Sequence, residues 1–381
     1  MRILVMESGS IPERIRVRSP VSRFILKVDA SRGIAGAIGG AAQASYQLYD
    51  YFSKKRGNVV DFFADFSAFT KESAVDASTL MGTDYDVILM NSMRDVMVVD
   101  EYMKKHKSTT TVYTDRANAL LNYKDLTKLH PRTPAVFYLL QKMRRWLSCY
   151  VAITAEQELV GKRFFKNAKV AYIPIAPSVI FSPGKRKPDA PGSALYVGRL
   201  DERQKKLEFM IRSLKLLTDD RPLLRNWRLL TIVGDGPDRR RYERLVRELG
   251  LSKAIRFAGS LNGDKLVGEY RKAAFFVSTS EWESPGRTFL EAMACGVPLL
   301  VNTSNNAVVH LRPEKRMVED GKNGMVYDYR DAGDFAEKFY LMYINRTLRK
   351  RLSGGALVAS KGFSLGSSML RYNRLMLSLL K

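Results

Sequence analysis

The feature that most constrains the fold is an alternation of short apolar runs with helical patterns along the chain. In the first half, the apolar runs rich in β-formers are RILVM (2–6), NVVDFFA (58–64), YDVILMN (85–91), TTTVYT (109–114), CYVAIT (149–154) and AKVAYIPI (168–175). Near-continuous hydrophobic runs are typical of parallel strands that are covered on both faces. Helical patterns, notably 40–56 and 134–147, lie between them. The first half therefore predicts a doubly wound α/β domain.

The same alternation restarts after an interruption rich in proline, glycine and basic residues, which is the composition of a linker. Apolar runs then recur at 194–198, 228–234, 254–259, 274–280 and 297–302, with helical patterns at 205–218, 238–249 and 286–295. We predict two Rossmann-like domains that face each other across a cleft: 1–175, a linker over 176–192, and 193–365. The last helix, 366–381, is apolar on two faces, so we expect it to pack back onto the first domain.

Composition places the chain among globular proteins. Its 381 residues are 45% hydrophobic, enough to bury two cores. The two cysteines, Cys149 and Cys295, lie too far apart in sequence to suggest a disulfide framework or a cysteine zinc site. The N-terminus resembles a first strand instead of a signal peptide, and no apolar stretch reaches the length of a membrane span. These features predict a cytoplasmic protein.

The formal net charge of +24 is the unusual bulk property. Such a field attracts anionic membrane, nucleic acid or anionic small molecules, or simply keeps the surface solvated. The segment 133–150 mixes Lys142, Arg144 and Arg145 with Tyr138 and Trp146. It is a helix that lies in a membrane interface, an ordinary helix that packs on the sheet with its basic side in water, or both at once. The first interpretation favours an anionic membrane surface as a partner, on the inner face of the cell membrane.

Chemistry-bearing residues concentrate after the apolar run at 274–280. Glu283 follows that run, and Gly286 precedes a helical pattern that contains Arg287, Thr288 and Glu291. Glycine lets a ligand approach the backbone closely, and the first amides of a helix have no acceptor within it. A helix start of this kind is a natural phosphate cradle. Glu291 lies one and a half turns further on, on the side that can reach a sugar hydroxyl.

These residues resemble a known family. Glu283, seven residues, Glu291 and then AMACGVP (292–298) are similar to the signature of glycosyltransferase family 4, which has the GT-B fold. Three further blocks agree in order and spacing: LYVGRL (195–200), IVGDGP (232–237) with FAGSL (257–261), and VEDGKNGMVYD (318–328). The resemblance covers 190–330 strongly and the first 180 residues loosely. It implies a retaining transferase that uses a nucleotide sugar, such as a UDP- or GDP-sugar, without a metal or other cofactor.

The resemblance also assigns roles on the donor side. Gly198 and Gly234 are expected in turns around the nucleotide, Glu283 at the sugar and phosphate, and Glu291 at the ribose. A departing diphosphate needs positive charge where negative charge develops, and Arg199 follows an apolar run as such a group would. Family members place a lysine five residues after this arginine, where this chain has Gln204. Reading one inserted residue makes Lys205 the match, with Lys206 as the alternative.

The first half departs from the family on the acceptor side. Gly39 and Gly40 resemble the N-terminal glycine loop of the family, although a flexible turn explains them equally simply. The segment 8–32 is long and basic, and is either an acceptor-binding loop or a membrane-facing one. Family members commonly carry a histidine after the run at 109–114, where this chain has Asp115. Asp115 either substitutes for that histidine, or the role is absent.

The Asp84–Tyr85–Asp86 string has the form used by metal-dependent transferases, but it opens a buried apolar run, so we interpret it as a strand start. The predicted activity is transfer of a sugar from a nucleotide diphosphate to a cell-envelope glycan or a lipid-linked acceptor. One alternative is a phosphorylase or hydrolase on the same scaffold. Another is a basic nucleic-acid-binding protein, against which the dispersed basic residues and the lack of a recognised motif argue.

Overall fold

A computed structural model describes residues 1–7, 47–48, 50–55, 58–64, 81–116, 133–184, 193–283, 286–304 and 316–380. The chain divides into two compact units. The first comprises Met1–Ile175 and Ser368–Lys381, and the second comprises Ala176–Ser367. Each unit contains one parallel sheet, which confirms the predicted α/β class.

The first unit is built on six parallel strands in the order β2-β1-β3-β4-β5-β6. They are β1 (Arg2–Glu7), β2 (Val59–Ala64), β3 (Val87–Met90), β4 (Thr110–Thr114), β5 (Cys149–Ala152) and β6 (Lys169–Tyr172). Strands β3 and β5 are buried along their whole length, as the continuous apolar runs predict. The helices whose bounds are described are α1 (Val96–Lys105), α2 (Thr133–Met143) and α3 (Ala155–Phe164), and residues 47–48 and 50–53 are also helical.

Helix α2 packs against α1 within the first unit. The Lys142 ammonium lies 2.5 Å from the Asp100 carboxylate, and the Trp146 indole donates to the same carboxylate at 2.9 Å. Leu140 and Met143 are fully buried. Because Asp100 belongs to α1, Lys142 and Trp146 join two helices of one unit, as the packing interpretation of 133–150 predicts.

The last helix, Leu365–Leu379, is held by the first unit. The Tyr372 hydroxyl lies 3.0 Å from the Thr114 hydroxyl, and the Ser368 hydroxyl donates to the Pro174 carbonyl at 2.9 Å. Burial of Met369 and Met376 fixes the apolar face that contacts this unit. Within the described residues, no helix is long and apolar enough to cross a membrane.

The second unit has six parallel strands in the order β12-β11-β10-β7-β8-β9. They are β7 (Ala194–Val197), β8 (Leu230–Val233), β9 (Ile255–Gly259), β10 (Phe275–Val277), β11 (Leu299–Asn302) and β12 (Gly324–Tyr327). Its helices are α4 (Glu202–Lys205), α5 (Leu207–Asp220), α6 (Arg239–Glu248), α7 (Gly263–Lys272), α8 (Arg287–Ala294), α9 (Ala332–Ile344) and α10 (Arg346–Lys361); the last helix of the chain is α11 (Leu365–Leu379). Chain order reverses between β7 and β10, and ligands bind at the carboxyl ends of strands at such a reversal.

Candidate active site

The two strands at the reversal point supply the polar groups of the second unit. Strands β7 and β10 are hydrogen-bonded neighbours and run parallel, so their carboxyl ends lie at one edge of the sheet. Gly198 and Arg199 follow β7, while Ser278, Thr279 and Ser280 follow β10 and are buried. The segment that leads to Glu283 therefore begins beside the turn that follows β7.

An ion pair joins these two strand ends. The Lys205 ammonium lies 2.5 Å from a carboxylate oxygen of Glu283, and each side chain is 13% exposed. A pair that is partly shielded from water interacts more strongly than a pair on the surface. The pair is also open enough for a ligand to reach it. Lys205 and Glu283, predicted from separate blocks of sequence, are thus brought together.

Backbone and side-chain hydrogen bonds hold the two segments in register. The Glu281 amide donates to the Gln204 carbonyl at 3.0 Å, and the Gln204 side-chain amide donates to the Trp282 carbonyl at 3.1 Å. The Thr279 hydroxyl donates to the Lys205 carbonyl at 2.7 Å. In the sequence, Gln204 stands out only as a departure from the family pattern. Its contacts with Glu281 and Trp282 form between segments far apart in sequence, so no local pattern predicts them.

The two candidate lysines differ in backbone conformation, in ion-pair partner and in exposure. Lys205 ends the short helix α4, whereas Lys206 adopts the left-handed conformation at φ 51° and caps the start of α5. That reversal of the backbone separates the two side chains. The Lys206 ammonium lies 3.6 Å from Glu281, and its side chain is 42% exposed. Lys205 is therefore the lysine that contacts the predicted sugar-binding glutamate.

Glycines allow the turns at this edge to approach one another. Gly234 has φ 139°, and a Cβ atom built there would lie 1.9 Å from the Gly198 carbonyl oxygen. Gly286 has φ 62° and caps the start of α8. The amides in the first turn of a helix point away from its body toward any anion at its start. Arg287 and Thr288 open this helix.

Arg199 is exposed immediately after β7. Its guanidinium forms no hydrogen bond or ion pair within the described part of the chain. The hydrogen bond from Arg203 lowers the pKa of the Asp201 carboxyl below its usual value, and the positive charge of Arg199 adds a smaller effect in the same direction. An exposed cation at the carboxyl edge of the sheet is available to an anionic ligand.

Glu291 is buried, in contrast to Glu283. Its carboxylate accepts a hydrogen bond from the Tyr270 hydroxyl at 2.9 Å, and the residue is 6% exposed. Burial raises the pKa of Glu291 to about 7, while the Tyr270 hydrogen bond and Arg287 act in the opposite direction. Tyr270 was not predicted, because nothing in its sequence surroundings distinguishes it from a core tyrosine.

In the first unit, Asp115 follows β4 and is fully buried. Its carboxylate accepts a hydrogen bond from the Tyr150 hydroxyl at 2.8 Å, and its carbonyl accepts one from the Gln157 side chain at 2.8 Å. Burial, together with Asp115, raises the pKa of the Tyr150 hydroxyl well above its usual value. Asp115 thus takes part in the interior of the unit. Gly39, Gly40 and the basic segment 8–32 lie outside the described residues.

The Asp84–Tyr85–Asp86 string has structural partners. The Arg2 amide donates to the Asp86 carboxylate at 2.6 Å, and the Asp84 carboxylate lies 2.7 Å from the His106 ring nitrogen. Strand β3 begins directly afterwards, at Val87. Among the residues that the structure describes, no group of three or more histidine, cysteine, aspartate or glutamate side chains could hold a metal ion.

With this geometry in view, comparison with known proteins identifies the second unit. The family model described as "Glycosyl transferases group 1" matches residues 181–356. The chain carries a glycosyl transferases group 1 domain. The matched residues include Arg199, Lys205, Glu283 and Glu291.

Relatives and solved structures extend this result. A D-inositol 3-phosphate glycosyltransferase of Streptomyces bingchenggensis is 30% identical over 168 residues, which are 42% of this chain and 35% of that protein. The chain spans about half the length, or less, of the curated relatives that it matches first.

Two solved structures match nearly the whole chain. The Anabaena protein HepE in complex with UDP has a TM-score of 0.68 at 14% identity, over 99% of this chain and all 100% of that one. The lipopolysaccharide outer core galactosyltransferase WaaB has a TM-score of 0.61 at 18% identity, over 99% of both chains. At these identities the likeness concerns the fold, and it confirms the predicted GT-B architecture of two Rossmann-like domains.

Proposed function

We propose that this group 1 glycosyltransferase domain serves a retaining enzyme that transfers a sugar from a nucleotide diphosphate donor. The observation that carries the proposal is the Lys205–Glu283 ion pair at the strand reversal, beside the start of α8. A cation and a sugar-orienting carboxylate at one sheet edge suit a ligand that joins a diphosphate to a sugar. The similarity to a protein solved with UDP supports a uridine or related nucleotide.

In the proposed reaction the acceptor hydroxyl attacks the anomeric carbon from the face of the leaving group. The bond between that carbon and the diphosphate oxygen breaks, a bond to the acceptor oxygen forms, and the hydroxyl proton passes to the diphosphate. Arg199 and Lys205 stabilise the negative charge that develops on the diphosphate, and the amides at the start of α8 add to it. Glu283 orients the sugar, and Glu291 contacts the ribose. Because two cationic side chains serve the diphosphate, the proposal includes no metal or other cofactor.

For the acceptor we propose a cell-envelope glycan or a lipid-linked glycan precursor. The similarity to a lipopolysaccharide outer core galactosyltransferase supports an acceptor of this chemical range. The net charge of +24 supports a cytoplasmic enzyme that binds the inner face of an anionic membrane.

The test begins with the donor. Melting temperatures measured with UDP-, GDP- and ADP-sugars identify the nucleotide, because a ligand that binds only the folded protein raises the melting temperature. With the donor so identified, Lys205→Ala should lower transfer about 100-fold or more. Lys206→Ala is the matched control and should stay within a few-fold of wild type.

Two results would contradict the proposal. One is equal activity of folded Lys205→Ala and the wild type. The other is breakdown of a glycan by free phosphate or water without any response to nucleotide sugars, which would indicate a phosphorylase or hydrolase.

A further inference from the structure

Helix α11 has a second apolar face that the fold does not use. Leu370 and Leu377 are each 55% exposed, and Leu380 is 42% exposed. A spacing of seven residues places Leu370 and Leu377 on one side of the helix, with the exposed Arg374 between them, and Leu380 follows directly after the helix ends at Leu379. We refer to Leu370, Arg374, Leu377 and Leu380 as the leucine stripe. The opposite face is buried in the first unit, so the stripe points to solvent.

The charged residues of the last two helices, α10 and α11, are all basic. After Glu337 the sequence contains no aspartate or glutamate, whereas lysines and arginines recur throughout 338–381. Arg374 forms no ion pair with any residue within the described ranges, and Lys169 donates to the Ser378 hydroxyl at 2.7 Å, beside the stripe. The stripe therefore combines exposed leucines with cations that have no acidic neighbour on their own helix.

We propose that the leucine stripe is the surface by which this protein docks on an anionic lipid bilayer. A helix of this composition lies in the plane of the interface, with its leucines among the acyl chains and its cations at lipid phosphates. The inference deepens the proposed membrane location and rests on it. It moves that location from 133–150, where Asp100 binds Lys142 and Trp146, to the last helix.

Other occupants fit the stripe less well. A second copy related by a twofold axis would bring two Arg374 side chains and two acid-free helices together, and like charges repel. Nucleic acid is not favoured, because its phosphates need hydrogen-bond donors and the exposed leucines of the stripe supply none. Leu216 and Leu223, two exposed leucines of the second unit, flank Asp219 and Asp220 in sequence, so anionic lipid is not favoured there. That pair provides a control.

The experiment is co-sedimentation of the full chain with vesicles of equimolar phosphatidylcholine and phosphatidylglycerol, and with phosphatidylcholine alone. The double variant Leu370→Gln/Leu377→Gln should bind anionic vesicles at least about tenfold more weakly than wild type. Arg374→Gln should cost about fivefold, as the loss of one cation near the surface does. The control Leu216→Gln/Leu223→Gln should bind like wild type. Raising the salt concentration should weaken wild-type binding.

Three outcomes would overturn the inference: wild-type binding by the stripe variant, equal loss in the control, or a concentration-dependent oligomer that only the stripe variant abolishes. Melting temperatures establish that both double variants fold. Donor-dependent transfer to a water-soluble acceptor is measured on the same samples. The stripe variant should retain that activity, so that loss of docking and failure of the proposed chemistry are separate results.

Discussion

The two units share one architecture but use their strand ends differently. Both sheets have six parallel strands with a reversal of chain order. In the second unit, the acid after β10 forms an ion pair that remains 13% exposed. In the first, the acid after β4 is fully buried and bonded to Tyr150. A polar residue at the carboxyl edge is thus a candidate for ligand chemistry only when its neighbours leave it accessible.

The largest expected effect comes from removing the partly buried acid of the ion pair, Glu283. Glu283→Gln should lower the rate of sugar transfer about 100- to 1000-fold, because a group that acts at the reacting sugar is lost. Steady-state kinetics with the donor identified by thermal shift measure this effect. Glu281→Gln, two residues away and exposed, is the matched control and should change the rate little. If the two substitutions lowered the rate equally, Glu283 would have no role in sugar transfer that the neighbouring Glu281 lacks.

The buried Glu291 predicts a dependence of stability on pH. Burial raises its pKa to about 7 from 4.5, so the folded protein retains a proton that the unfolded chain has already released. Its contribution is fully present below about pH 4.5 and is lost as pH rises through 7, by about 3 kcal/mol. The free energy of unfolding in urea, measured from pH 4 to 8 for wild type and Glu291→Gln, isolates this contribution. If the free energy of unfolding varied with pH in the same way for both proteins, the pKa of Glu291 would not be raised by burial.

A substitution of Asp115 tests whether the buried acid of the first unit has a structural role. Asp115→Ala should lower the free energy of unfolding by about 2 kcal/mol, because the buried Tyr150 hydroxyl loses its acceptor. Tyr150→Phe in the same background should recover part of that loss, as a double-mutant cycle would reveal. The folded fraction should keep its transfer rate within several-fold. A stable variant with a collapsed rate would instead assign Asp115 the role of the family histidine.

The smallest effect concerns Lys206, whose left-handed backbone directs its side chain away from that of Lys205. Lys206 holds a left-handed conformation that glycine adopts without strain. Lys206→Gly should therefore raise the free energy of unfolding by about 0.5–1 kcal/mol and leave transfer nearly unchanged. Chemical denaturation measures it, with Lys206→Ala as the control that keeps the strain. A loss of transfer in both variants would mean that Lys206 takes part in binding the donor.

Much of the second unit was predictable because its information is local. The run at 228–234 became β8, and the helix predicted at 286–295 became α8. The helix predicted at 205–218 was partly wrong, since the chain forms α4, reverses at Lys206 and only then begins α5. A left-handed lysine has no sequence marker. Strand β12 was missed as a strand because four residues opening with glycine resemble a turn.

By itself, the sequence determined the alternation of strands and helices, its restart in the second half of the chain, and the glutamate-containing block of the second unit. These features depend on hydrophobic runs and glycine turns, which are formed by residues adjacent in sequence. Tertiary structure decided which groups meet. Lys205 and Glu283 are 78 positions apart and are joined only because β7 and β10 become neighbours in the sheet. Likewise Asp115 became an interior residue because Tyr150, on the adjacent strand β5, reaches its carboxylate. Burial and pairing depend on strand order, which residues close in sequence do not encode.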